Sequence, residues 1–191
     1  MDTIYSLDQI IEMTDQVGGQ WAVMHARRLL VLMERVAEQP ADRAVLELAA
    51  YMHDWGATST YKQKDVEHAL RSRQVVEADI LPHLDLTPAQ GEALLEAIDL
   101  HDYRDQRPTQ SYEALLLREA DMLEFLGAIG MARDFARGPR NVEACYKRIL
   151  SRRDGIRGRF TLPHAQEMAE VRLERMHTFL EELLEESFGN L

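Results

Sequence analysis

Apolar residues recur at three- and four-residue spacing along almost the whole chain, and nowhere do they alternate strand-like between turn signals. That pattern predicts an all-α fold. The helix start signals agree with it. Ser6 with Gln9 forms a capping box ahead of Ile10 and Ile11, while Thr87, Pro88 and Gln90 combine a cap, a proline at the first helical position and a capping-box glutamine. With 191 residues, 46% of them apolar, the chain can bury one sizeable core. No internal repeat, low-complexity tract or linker divides it, so a single domain is expected over residues 1–191.

In chain order, the first helix should stop at Gly18 and Gly19, and a second, about Gln20 to Glu38, carries Trp21, His25, Leu29 and Leu32 on one face. Asp42 caps a third that delivers His53 and Asp54 at its end, where Gly56 releases the chain into a polar loop, Ala57 to Gln63. Asp65 should cap a fourth helix with His68 in its first turn and Pro82 at its end. A fifth runs from Thr87 to His101. After a charged loop, Asp102 to Gln110, Ser111 caps a sixth that places Ala114, Leu117, Asp121 and Phe125 on one face. The glycines of Gly127-Ala128-Ile129-Gly130 imply close packing in the segment leading to Arg137, which Gly138 and Pro139 should end. Helices over about Val142 to Arg152 and Pro163 to Glu186 follow.

Within this frame the stretch Leu46 to Trp55, LELAAYMHDW, places an imidazole on an apolar face: Leu46, Ala49 and Ala50 lie seven, four and three residues before His53. A buried polar ring needs a partner that offsets its desolvation, and either a metal or a plain hydrogen bond would serve. Asp121 is a second such placement, an aspartate where an apolar residue is expected. His25, His53, Asp54, His68, His101 and Asp121 thus fall at helix ends or on inward faces of five helices. Six nitrogen and oxygen donors without sulfur suit iron, manganese, cobalt, nickel or zinc, and they are too many for one catalytic ion that keeps an open position. Two divalent ions bridged by Asp54 are therefore expected.

The single cysteine, Cys145, excludes an internal disulfide and a multi-thiolate zinc site. A net charge of -11 argues against stable nucleic-acid binding. The charge is uneven: Thr161 to Leu191 holds seven acidic and two basic residues, whereas Arg133 to Arg159 holds nine basic against three acidic. No apolar run is long enough to span a membrane. The N-terminus carries acidic residues where a secretory signal would carry basic ones, so a cytoplasmic protein is expected.

The order His25, His53-Asp54, His68, His101, Asp121 on helices resembles the HD-domain superfamily of metal-dependent phosphohydrolases, and more closely a group of small bacterial HD proteins regarded as hydrolases. The segments LREADMLEFLGAIGMARDFARG and EMAEVRLERMHTFLEELLEE are similar to that group's pattern, and HDWG agrees with the superfamily's HD-x-G form, Gly56 being the glycine. The loop Ala57 to Gln63 matches no family motif. The resemblance implies a single-domain HD helical bundle, with a metal-site core of about 20–137 and C-terminal helices of about 141–187 packed on it. It makes His25, His53, Asp54 and Asp121 the four ligands of the basic site and His68 and His101 the further pair of bimetallic members, with His53 and Asp54 at the centre of catalysis.

The activity so implied is hydrolysis of a phosphate ester or anhydride, a nucleotide among the candidates, by a metal-activated hydroxide. Arg28, Lys62, Lys64, Arg104 and Arg133 are the cations available to hold phosphate oxygens, though each also fits a solvated surface charge. Two readings compete: a di-iron oxygenase using similar ligands, and a non-catalytic HD scaffold that binds a nucleotide or partner and signals. A monomer or homodimer is expected.

Overall fold

The computed structural model describes residues 4–138 and 140–191. Eight α-helices run through them: α1 (Leu7–Val36), α2 (Arg43–Met52), α3 (His68–Val75), α4 (Pro88–Leu100), α5 (Tyr112–Glu124), α6 (Gly127–Arg137), α7 (Val142–Ile156) and α8 (Pro163–Glu186). No strand occurs among the described residues. None of their helices is long and apolar enough to cross a membrane. The chain divides into two compact units, Met1–Arg118 and Glu119–Leu191, with the division falling inside α5.

Both capping boxes form as the sequence predicts. The Ser6 hydroxyl accepts from the Gln9 amide while the Gln9 side chain accepts from the Ser6 amide, and Thr87 and Gln90 repeat the exchange. The Asp42 carboxylate accepts from the amides of Ala44 and Val45 at the head of α2, and the Ser111 hydroxyl accepts from the Ala114 amide at the head of α5. The expected break at Gly18 and Gly19 is a kink within one element: Gly19 alone leaves helical geometry, at φ 69°, and the helix resumes at once. The inward stripe of its second half is His25, Leu29 and Leu32, all buried, whereas Trp21 lies half out in solvent with the Arg28 guanidinium over its ring.

Four boundaries differ from expectation. Asp65 does not cap α3; it sits at φ 60° in the preceding turn, and Glu67 is the residue before the helix. α3 ends at Val75 rather than Pro82, because the backbone widens into a π turn over Val76–Ile80 and then tightens into a 3-10 turn, Leu81–His83. Phe125 lies one residue beyond α5, with the guanidinium groups of Arg133 and Arg152 4.7 and 4.5 Å from its ring centroid. α7 continues past Arg152 to Ile156, and Pro139, expected to help end α6, lies outside the described residues.

In the first unit α2 packs on both α1 and α4, and α3 packs on α4 and on the short 3-10 turn Trp55–Ala57 that follows α2. Val45, Leu48, Ala49 and Met52 of α2, with Leu94, Ala97 and Ile98 of α4, are buried there. Burying such aliphatic side chains contributes about 1.5–3 kcal/mol each for the larger ones. In the second unit α6 packs on α7 and α8. Gly130 is required there, since a Cβ on it would lie 2.0 Å from the carbonyl oxygen of Phe125. Cys145 is a free, buried thiol, its Sγ 3.2 Å from the Asp134 carbonyl oxygen.

Candidate metal centre

The ends of α2 and α4 supply the first two imidazoles. His53 and His101 are the C-cap residues of these helices, where the last carbonyls have no helical partner. Each ring uses one: Nδ1 of His53 donates to the Ala50 carbonyl at 2.9 Å and Nδ1 of His101 to the Ile98 carbonyl at 2.7 Å. With the proton committed to Nδ1, the Nε2 lone pair of each ring is left to face inward.

What they face is a second imidazole and a carboxylate. Nε2 of His25, from α1, lies 3.3 Å from Nε2 of His53, and Nε2 of His68, from α3, lies 3.1 Å from Nε2 of His101. The rings form one chain, His25, His53, His101, His68, with successive centroids 5.1, 4.7 and 5.1 Å apart. Asp54 joins its two halves. Its Oδ2 lies 3.6 Å from Nε2 of His53, while its Oδ1 lies 3.4 Å from Nε2 of His68 and 3.5 Å from Nε2 of His101. Two groups able to hold a cation result, His25–His53–Asp54 and Asp54–His68–His101.

Burial sets the electrostatics. The side chains of His53 and His101 are almost wholly enclosed, but that of Asp54 is 40% exposed and that of His68 24%, so Asp54 and His68 form the approachable side of the centre. Burial pushes the Asp54 carboxyl up; His53, His101 and His68 overcome it and hold the group well below the usual carboxylate range. For His68, burial and then the neighbouring His101 lower the pKa against the opposing pull of Asp54 and Asp102. A carboxylate and neutral imidazoles are the forms that bind metal. Nitrogen and oxygen donors converging without sulfur fit a first-row divalent cation.

The glycine after the His-Asp pair has a steric role. A Cβ on Gly56 would lie 2.2 Å from the His68 carbonyl oxygen and 2.6 Å from the Ser72 amide nitrogen, so only glycine lets the first turn of α3 close on this turn. The Gly56 amide donates to Ser72 Oγ at 2.8 Å, and that hydroxyl donates to the His68 carbonyl at 3.0 Å. Trp55, beside the pair, is buried and donates from Nε1 to Thr14 Oγ1 at 3.1 Å. Ser72 and Thr14 were not singled out by sequence; neither carries a motif, and both act on residues far away along the chain.

Five of the six expected ligands thus meet in the first unit. Asp121 lies in the second, on α5, where it is buried as are Glu119 and Glu124. Lys62 and Lys64 are exposed in the loop before α3, Arg28 lies over Trp21, Arg133 over Phe125, and Arg104 is clamped to Asp102. Of the remaining histidines, His83 stacks at a tilt near Tyr5 and His177 lies 3.3 Å from Glu181.

The HD-domain model matches residues 23–126, a span that opens just before His25 and closes just after Asp121. The chain belongs to the HD-domain family. Members of this family bind divalent metals, and the histidine-aspartate cluster could hold one. The fold is shared with several solved structures at low sequence identity. Bacillus subtilis YpgQ in complex with ADP is 22% identical, with 94% of each chain covered and a TM-score of 0.66. A predicted HD superfamily hydrolase from an uncultured Thermotogales bacterium is 21% identical over 97% of this chain and 95% of its own, with a TM-score of 0.68. A Lactobacillus plantarum protein is 18% identical over 96% and 97%, with a TM-score of 0.72. A comparison with curated proteins finds no match.

Proposed function

We propose that this HD-domain protein is a metal-dependent hydrolase of phosphate esters or anhydrides, with His25, His53, Asp54, His68, His101 and Asp121 as its ligand set. The observation that carries the reading is the pair of locked tautomers: His53 and His101 spend their Nδ1 protons on Ala50 and Ile98, so two lone pairs converge on the Asp54 carboxylate. A scaffold has no need of that arrangement. Asp121 keeps the role that the resemblance gives it. In this reading residues 1–191 act as one domain.

Divalent ions held there would lower the pKa of a bound water toward about 7 and neutralise charge on a phosphoryl group. The residues supply the rest. His25 and His53 hold one side of the centre and His68 and His101 the other, with Asp54 shared, so two cations would be kept at a fixed spacing. Asp54 and His68, being the exposed members, border the face from which substrate arrives. Two divalent ions held with Asp54 and Asp121 would make the local charge positive, which would reconcile an anionic substrate with a chain of net charge -11. Arg28, Lys62, Lys64 and Arg133 are the candidate contacts to non-bridging oxygens. The ADP bound in YpgQ supports a nucleotide-like substrate.

The test is a screen of nucleotides and phosphate esters with the purified protein loaded with manganese, iron, cobalt, nickel or zinc. Metal-dependent phosphate release is expected, falling to background in His53→Ala and Asp54→Ala while the helical circular dichroism stays native. Full activity in both variants would exclude the mechanism. Oxygen consumption by the iron-loaded chain without phosphate release would replace it by the oxygenase chemistry that the same donors allow.

A further inference from the structure

His53 and His101 end their helices and borrow a carbonyl three residues back; His68 begins α3, where the free backbone groups are amides and no such carbonyl is offered. Facing its Nδ1 instead is the Asp102 carboxylate, with Oδ2 3.6 Å away, a charge contact rather than a closed hydrogen bond. Asp102 is itself held. Its Oδ1 accepts from the Arg104 amide at 2.9 Å, and the Arg104 guanidinium grips both oxygens, with Nε at 3.0 and 3.1 Å and Nη2 on Oδ2. Asp105 and Arg107 repeat the clip three residues on, and Arg107 Nη1 also donates to the buried Asp99 at 3.0 Å. Arg118 pins this loop from below, donating to the carbonyls of Leu100 at 2.6 Å and Arg107 at 3.0 Å.

We propose that Asp102 is a positioning residue for His68, and that it sets the affinity of the cation position formed by Asp54, His68 and His101. The inference rests on the metal-dependent reading above. His68 has two neutral forms. With the proton on Nε2 the ring donates to Nε2 of His101, 3.1 Å away, and the cation position is blocked by that proton. With the proton on Nδ1, the lone pair of Nε2 joins Asp54 Oδ1 and His101 Nε2 around a shared centre. The carboxylate beside Nδ1 stabilises the second form and leaves the His25–His53–Asp54 group untouched. Arg104 therefore acts on His68 through Asp102 and is not the phosphate-binding cation that its place in the sequence suggests.

The experiment is a calorimetric titration of the metal-free full-length chain with zinc and with manganese, resolving successive binding steps. The wild type is expected to bind two ions. In Asp102→Ala one step weakens about 10- to 100-fold and the other is unchanged; Asp102→Asn, which keeps an oxygen but not the charge, weakens the same step less, and Arg104→Gln weakens it in the same direction. A general loss of structure would weaken both steps together. If Asp102→Ala does not fold, Asp102→Asn and Arg104→Gln carry the test. Two unchanged steps in these variants overturn the inference and leave the hydrolase reading standing, as does uptake of a single ion by the wild type. Uptake of none by the wild type overturns the hydrolase reading itself.

Discussion

Gly56 lies so close to His68 that a methyl group on its α-carbon would meet the His68 carbonyl oxygen at 2.2 Å. The clash is with backbone, which cannot rotate away as a side chain can. Gly56→Ala should therefore push the head of α3 outward and carry His68 from Asp54 while His25 and His53 stay in place. A cost of about 1–3 kcal/mol or more is expected in urea unfolding. Metal titration should show the His68-containing position lost and the other retained.

Ser72 connects the same two residues through one hydroxyl, accepting from the Gly56 amide and donating to the His68 carbonyl. Ser72→Ala leaves the buried amide without that acceptor, at a cost of about 1–3 kcal/mol. Ser72→Thr keeps the hydroxyl and should restore part of the loss if the extra methyl is accommodated. Chemical denaturation of the two variants, set beside their metal affinities, checks both statements.

Glu119 caps α8 from a distance. Leu162, the residue before α8, has no capping side chain, and the Glu119 carboxylate accepts instead from the Thr161 amide at 2.7 Å, the Thr161 hydroxyl at 2.6 Å and the Leu162 amide at 3.1 Å. An anion is also favoured at a helix N-terminus. Glu119→Ala should destabilise the protein by about 2 kcal/mol, since hydrogen bonds to a charged group are worth more than neutral ones. The thermal midpoint and the exchange protection of the first turn of α8 should both fall.

Acid should weaken the fold through carboxylates outside the proposed ligand set. The Gln90 side chain, against burial and with the Val45 and Ala44 amides, holds the Asp42 carboxyl below its ordinary value of 3.8; the Arg107 side chain does the same for Asp105. Such groups take up protons more readily when unfolded. Their contribution is complete above the unfolded value and disappears as the pH falls through the folded one. Urea midpoints should be level near neutrality and decline from about pH 4 downward, and Asp42→Asn should make that decline shallower.

Much of this molecule could be read locally. The capping boxes at Ser6 and Thr87 and the caps at Asp42 and Ser111 rest on residues within a turn of one another, and they recur in the structure as expected. The inward faces of His25, His53 and His101 followed from apolar periodicity, and all three are buried. What was missed depends on distant partners. Trp55 finds Thr14 41 residues away, Gly56 finds Ser72 16 away, and Thr161 finds Glu119 42 away. The start of α3 was misplaced because Asp65 looks like a cap, whereas packing against Gly56 fixes where that helix can begin. Arg104 looked free because a bare sequence does not show that an aspartate two residues earlier closes on it.

The rings of His53 and His101 take the Ala50 and Ile98 carbonyls that residues 54 and 102 would claim if α2 and α4 ran one step further. Helix length is therefore a chemical parameter in this protein. A substitution that coaxed either helix onward, even one far from any ligand atom, would set a backbone amide in competition with an imidazole for the same oxygen and let the ring flip its proton. Selection for greater helix stability at these two termini would erode the centre without touching a single residue that composes it.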